Sequence, residues 1–174
     1  IRDSRWVSLN QVGAYPLHPG FAQSWVFLRS LVGPRPAIVV DSANVIGSVP
    51  NGWWKDRRGA QERLRDRVAH VGGPGIPAGM LGLTQSDYPG IDRVFPPWTL
   101  VSEGGARGVS SVPGANRVVA PLLGVDTIVA ETCLPIPEGR RVTVVTADEE
   151  LRERVFAAGA ILRSPQMLLR HLPA

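Results

Sequence analysis

Ala37-Ile38-Val39-Val40 is an uninterrupted apolar run that ends on a charge, Asp41. A strand without polar alternation keeps no face for water, so the run predicts a strand buried on both sides of a parallel sheet. A comparable run, Arg141-Val142-Thr143-Val144-Val145-Thr146, recurs late in the chain. Helical stretches lie between and after the two. Trp54 to His70 carries Ala60, Leu64, Val68 and Ala69 as an apolar stripe against an Arg/Glu face. Gly124 to Cys133 and Asp148 to Ala158 read as further helices, and Pro165 opens a last one. Trp98 to Ser102, Arg117 to Ala120 and Ala160 to Leu162 read as shorter strands. Strands alternating with helices predict an α/β fold: a mainly parallel sheet flanked by helices on both faces, a Rossmann-like three-layer sandwich.

Two segments fall outside that alternation. Residues 71–97 hold six Gly and five Pro and read as a long loop or insertion. Residues 1–35 mix Trp6, Tyr15, Pro16, His18 and Trp25 without periodicity. They read as an N-terminal extension packed on the domain at 36–174, with a short helix over Ala22 to Val32. The first residue is Ile, so the expectation is a trimmed chain or a piece of a longer one. The chain is 44% hydrophobic and 20% charged, which excludes a disordered or collagen-like polymer. No apolar run reaches the roughly 18 residues of a membrane span, and no signal pattern opens the chain, so a cytoplasmic protein without a membrane partner is expected. The lone Cys133 excludes a disulfide framework and reads as a small core residue.

Of the 19 basic residues only Lys55 is lysine. Codon bias in a GC-rich genome produces such a surplus of arginine, and so does selection for phosphate and base contacts. The net charge of +4 is compatible with both.

In parallel α/β sheets ligands bind beyond the carboxyl ends of the strands. Here those ends carry acids. Asp41 closes the first strand with Asn44 three residues on, Asp148 follows the strand ending at Thr146, and Asp126 opens the helix after the strand at Arg117. Carboxylates brought to one edge repel, and a hard divalent cation such as Mg²⁺ or Mn²⁺ offsets the repulsion. Each acid also has a structural reading: a helix N-cap for Asp148, an acid that stabilises a helix N-terminus for Asp126, and a strand end in need of a partner for Asp41.

Val39-Val40-Asp41-Ser42-Ala43-Asn44-Val45, together with Thr146-Ala147-Asp148-Glu149-Glu150-Leu151, resembles the PIN-like superfamily of metal-dependent nucleases, in particular its NYN branch. The string Asp41 to Arg58, with Gly52-Trp53-Trp54-Lys55-Asp56-Arg57, resembles a group of small bacterial PIN-like proteins, and Val125-Asp126-Thr127-Ile128 resembles the middle acidic motif. The resemblance covers roughly residues 36 to 172. It implies hydrolysis of RNA phosphodiester bonds with Mg²⁺ or Mn²⁺. Asp41, Asp126 and Asp148 are the implied metal ligands, with Asn44 orienting a ligand or the attacking water. Thr146 would support Asp148, with Asp56 as a weaker fourth acid and Glu131 as a marginal one. The middle motif of the superfamily often carries two adjacent acids, whereas Val125 precedes Asp126 here.

Around this edge Trp53 and Trp54 are candidates to stack on unpaired bases, one of them alternatively packing into the core. Arg57, Arg58, Arg63, Arg65 and Arg67 read as a solvated helix face paired with Glu62 and Asp66, or as a phosphate grip. Arg57, Arg107 and Arg117 are the phosphate candidates. Ala43 stands where a haloacid-dehalogenase-type phosphatase needs a second Asp, and no P-loop is present. The expected partner is RNA, single-stranded, with a homodimer kept open. Two other functions remain beside the ribonuclease: a catalytically weak or inactive PIN-like RNA-binding or protein-interaction module, and a nucleotide hydrolase.

Overall fold

The structure is a computed structural model that describes Val7 and residues 11–31, 35–87, 90–106, 108–115, 117–119, 124–133 and 140–173. After a first helix, α1 (Pro19–Leu31), the chain enters β1 (Arg35–Asp41), then a short helix α2 (Ser42–Gly47) and a long one, α3 (Arg57–His70). A small hairpin follows from β2 (Ile76–Pro77) and β3 (Arg93–Val94), then β4 (Trp98–Val101) and β5 (Arg117–Val119). The last part runs α4 (Gly124–Cys133), β6 (Arg140–Val145), α5 (Glu149–Ala157), β7 (Ile161–Arg163) and α6 (Pro165–Leu169). Ala120 and Val32, at the ends of two expected elements, lie outside the described residues.

Five strands make one sheet in the order β5-β4-β1-β6-β7, and each neighbouring pair is parallel. β1 sits at the centre, buried from Ala37 to Asp41 as its unbroken apolar run requires. Its alternate residues feed two cores. Ile38 and Val40 join Leu64 and Val68 of α3, Leu100 of β4 and Leu168 of α6 on one face. Val39 joins Val142 and Val144 of β6, Ile128 of α4, and Leu151 and Val155 of α5 on the other. The α/β three-layer expectation is the architecture observed.

Three local expectations are corrected. The helix expected from Trp54 starts at Arg57, because Trp53–Lys55 form a 3-10 turn and the Asp56 side chain caps the helix, accepting the Gly59 amide at 2.9 Å. Gly59 suits that cap: a Cβ there would collide with the Asp56 carboxylate. The Gly59 amide, followed by the Arg63 guanidinium, holds the Asp56 carboxyl below its ordinary range. Residues 71–97, expected as a loop, instead send Ile76, Ala78, Met80, Leu81, Leu83 and Val94 into the α3-side core. Turns, not periodicity, place those side chains, so the Gly/Pro count hid them. The segment is fastened to the sheet by Arg141 on Asp87 (2.9 Å) and by Arg163 donating to the Met80 carbonyl (2.6 Å). Cys133 is exposed at the end of α4 rather than a core residue.

Among the described residues no helix is long and apolar enough to cross a membrane. Of the α3 arginines, Arg58 pairs with Glu62 (3.1 Å) and Arg63 with Asp56 (3.3 Å) on the solvated face, while Arg65 pairs with Asp66 (2.8 Å) with its side chain largely covered and Arg67 donates to the Pro173 carbonyl.

Candidate active site at the strand-order reversal

From β1 the chain winds outward through β4 to β5, then returns to β6 and winds the other way to β7. The two directions part between β1 and β6, and a crevice opens there at the carboxyl ends. The pairing of Val40 with Val145 brings the next residues, Asp41 and Thr146, level with each other across it. Asp41 keeps 9% of its surface exposed. Burying a carboxylate this far is costly without donors, and three are supplied. The Asn44 amide donates to Oδ1 at 3.1 Å, Asn44 Nδ2 to Oδ2 at 2.8 Å, and Thr146 Oγ1 to Oδ2 at 2.9 Å. The first of these makes Asp41 the N-cap of α2.

Thr146 is fully buried, and its hydroxyl does two things at once. It donates to Asp41 and accepts the backbone N–H of Asp148 at 3.1 Å. Asp148 in turn accepts the Leu151 amide at 2.8 Å and caps α5. Asn44, Asp41, Thr146 and Asp148 therefore form one hydrogen-bonded chain spanning the crevice. An open groove of about 470 Å³ adjoins it, lined by Ala43, Asn44, Gly47, Ser48, Ala147 and Gln166.

The third expected acid does not join. Asp126 lies in the first turn of α4, and its Oδ1 takes the Arg154 guanidinium of α5 at 2.8 Å. α4 and α5 pack side by side on the sheet face that Val39 feeds, so the first turn of one meets the last turn of the other. Among the described residues no three His, Cys, Asp or Glu side chains come together as a metal site. The expected convergence of Asp41, Asp126 and Asp148 is thus not formed. What the edge offers is two carboxylates and an amide oxygen. An oxygen-only set with one or two carboxylates fits Mg²⁺ or Mn²⁺, which keep waters and take further oxygens from a phosphate.

The other expected residues divide. Asp56 is spent on the α3 cap, and Glu131 is buried in α4. Trp53 is half-buried and Trp54 is 56% exposed, the two rings meeting edge to face at 6.1 Å. The Arg57 guanidinium lies over the Trp53 ring, 5.7 Å from its centroid. Arg107 lies outside the described residues, as does the side chain of Arg117. Sequence reasoning missed Glu103. It stands two residues beyond the end of β4, and its carboxylate occupies the space a Cβ on Gly124 would fill. It missed Gln61 as well, fully buried on α3 with its Nε2 donating to Ser42 Oγ at 3.2 Å.

No family model matches the chain, and no curated protein does. Among solved structures it is similar to Rae1 (YacP) from Bacillus subtilis, at 16% identity and a TM-score of 0.55, over 77% of this chain and 71% of that one. A tryptophan-to-leucine variant of the same protein gives the same identity and TM-score over 78% and 73%. At that identity the likeness speaks for the fold alone: the parallel α/β sandwich described above is shared with that protein.

Proposed function

We propose that the chain is a Mg²⁺- or Mn²⁺-dependent ribonuclease acting on single-stranded RNA in the groove above Asp41 and Asp148. The observation that carries this reading is the Asn44-Asp41-Thr146-Asp148 chain of hydrogen bonds at the strand-order reversal. Asp41 and Asp148 would hold the cation, which would supply charge neutralisation at the phosphodiester and an activated water. The protein's own contribution is alignment. Asn44 fixes both oxygens of Asp41, and Thr146 ties the Asp41 carboxylate to the backbone of Asp148, so the two acids share one frame. Trp53, Trp54 and Arg57 flank the RNA path, stacking on bases and steering the backbone. Arg107 and Arg117 are the further phosphate contacts of this reading. An open groove suits a polymer better than a single nucleotide, which disfavours the nucleotide hydrolase.

A second reading is favoured by one observation. Asp126 is held by Arg154 and follows Val125 where relatives often place a second acid, which fits an RNA-binding module without catalysis. Cleavage of end-labelled single-stranded RNA with Mn²⁺, with EDTA and with the Asp41→Asn variant separates the two. Asn is also a good N-cap, so the variant keeps α2. The ribonuclease loses at least about a hundredfold in rate with EDTA and with the variant, more than outer-shell changes usually cost. RNA binding without cleavage under any metal supports the module.

A further inference from the structure

Beside the groove lies a second cavity, of about 200 Å³, between α2, α3 and the turn that follows β4. The walls that matter are Ala43, Trp53, Arg57, Gln61, Glu103 and Gly104. Ala43 lines the groove as well, so the cavity opens next to the residues at Asp41. It is smaller than the roughly 300–1,000 Å³ of pockets for drug-sized ligands, a size for one planar group.

Its chemistry is specific. The Arg57 guanidinium lies over the Trp53 ring, 5.7 Å from its centroid, and Gly105 lies 3.5 Å from the Arg57 chain where its own Cβ would be. A guanidinium held over a ring can still donate through its N–H edge, the fork that matches O6 and N7 of guanine. Glu103 brings a carboxylate held against the N-terminus of α4, where the helix dipole favours its charge. A carboxylate accepts two parallel N–H groups, and only guanine among the RNA bases offers N1–H beside an N2 amine. The Gln61 side chain is fully buried, and its Oε1 has no hydrogen-bond partner among the described residues. An orphaned buried acceptor is destabilising until a donor arrives, and the second N2 hydrogen of guanine is such a donor.

We propose that this cavity is a guanine-binding subsite that holds one base of the RNA against Arg57 while the adjoining phosphate lies in the groove. The proposal rests on the reading of that groove as an RNA site, and its test does not depend on cleavage. Binding of GMP, AMP, CMP and UMP is followed by tryptophan fluorescence and by calorimetry, in EDTA. The expected result is GMP binding at least about tenfold tighter than the other three, as bidentate base contacts usually give. Glu103→Gln removes that preference, weakening GMP about tenfold and leaving AMP within twofold. Four equal affinities, no saturable GMP binding, or an equal loss for all four nucleotides in Glu103→Gln overturns the subsite. RNA cleavage without guanine preference fails the subsite alone. GMP preference in a protein that cleaves no RNA fails the ribonuclease alone.

Discussion

Two threonines, Thr143 within β6 and Thr146 just past its end, face opposite fates under the same substitution. Thr143 and Thr146 are both fully buried. The Thr146 hydroxyl donates to the Asp41 carboxylate at 2.9 Å and accepts the Asp148 amide at 3.1 Å. The Thr143 hydroxyl has no partner among the described residues. Valine is nearly isosteric with threonine, so each Thr→Val change deletes a hydroxyl and little volume. At Thr146 the loss is one hydrogen bond to a charged group, about 1.5–3 kcal/mol, and one to a backbone amide, about 0.5–1.5 kcal/mol. Thr146→Val therefore destabilises by roughly 2–4 kcal/mol, a drop in Tm of about 5–15 °C for a domain of this size. Thr143→Val relieves a buried unpaired hydroxyl and stabilises on the order of 1 kcal/mol. Urea unfolding followed by circular dichroism, with equal slopes for all three proteins, gives both numbers. Equal destabilisation by the two changes, or a Thr146→Val within about 0.5 kcal/mol of the parent, refutes the bridging role of Thr146.

Three further outcomes follow from other parts of the fold. Gly114 has φ +87°, and a Cβ there would sit 2.7 Å from the Ala69 carbonyl oxygen; Gly114→Ala costs on the order of 2 kcal/mol in a thermal melt, and a neutral result refutes the close approach. The Thr84 amide, then the Arg141 side chain, hold the Asp87 carboxyl below its ordinary value of 3.8. A depressed carboxylate stabilises fully above its unfolded value and loses that contribution as pH falls through the folded one, so stability declines below about pH 4. Asp87→Asn shows a smaller acid-induced loss, measured as Tm from pH 6 to pH 3. The pair between Asp126 and Arg154 is exposed, with 58% and 40% of the two side chains accessible, so Arg154→Ala changes stability by less than about 1 kcal/mol.

The sheet was legible because its central strands are apolar without alternation, and a run such as Ala37 to Val40 has few other places to go. Asp41 and Asp148 were legible for the same reason: each is the first charge after such a run, and the order of strands puts the two runs side by side. Asp126 was not, because its surroundings depend on how α4 and α5 pack. The Arg154 that claims it lies 28 positions along the chain. Glu103 was within reach of the same strand-end rule, but the glycines after it drew the eye to the loop. Gln61 carries no periodic signal at all; a glutamine inside an apolar stripe looks like surface until Ser42 is seen beside it. The core residues of 71–97 were hidden by turns, which place side chains without repeating them.

The account stands on Asp41 and Asp148 as the acids that hold a metal, with Asp126 outside the set. Mn²⁺ binding, followed by electron paramagnetic resonance on the parent chain and on Asp41→Asn, Asp148→Asn and Asp126→Asn, tests that assignment most directly. The account predicts one bound Mn²⁺, lost or weakened at least about a hundredfold in the first two variants and kept within about threefold in the third. Mn²⁺ binding that fails in Asp126→Asn as completely as in Asp41→Asn, or no binding to the parent chain, contradicts it.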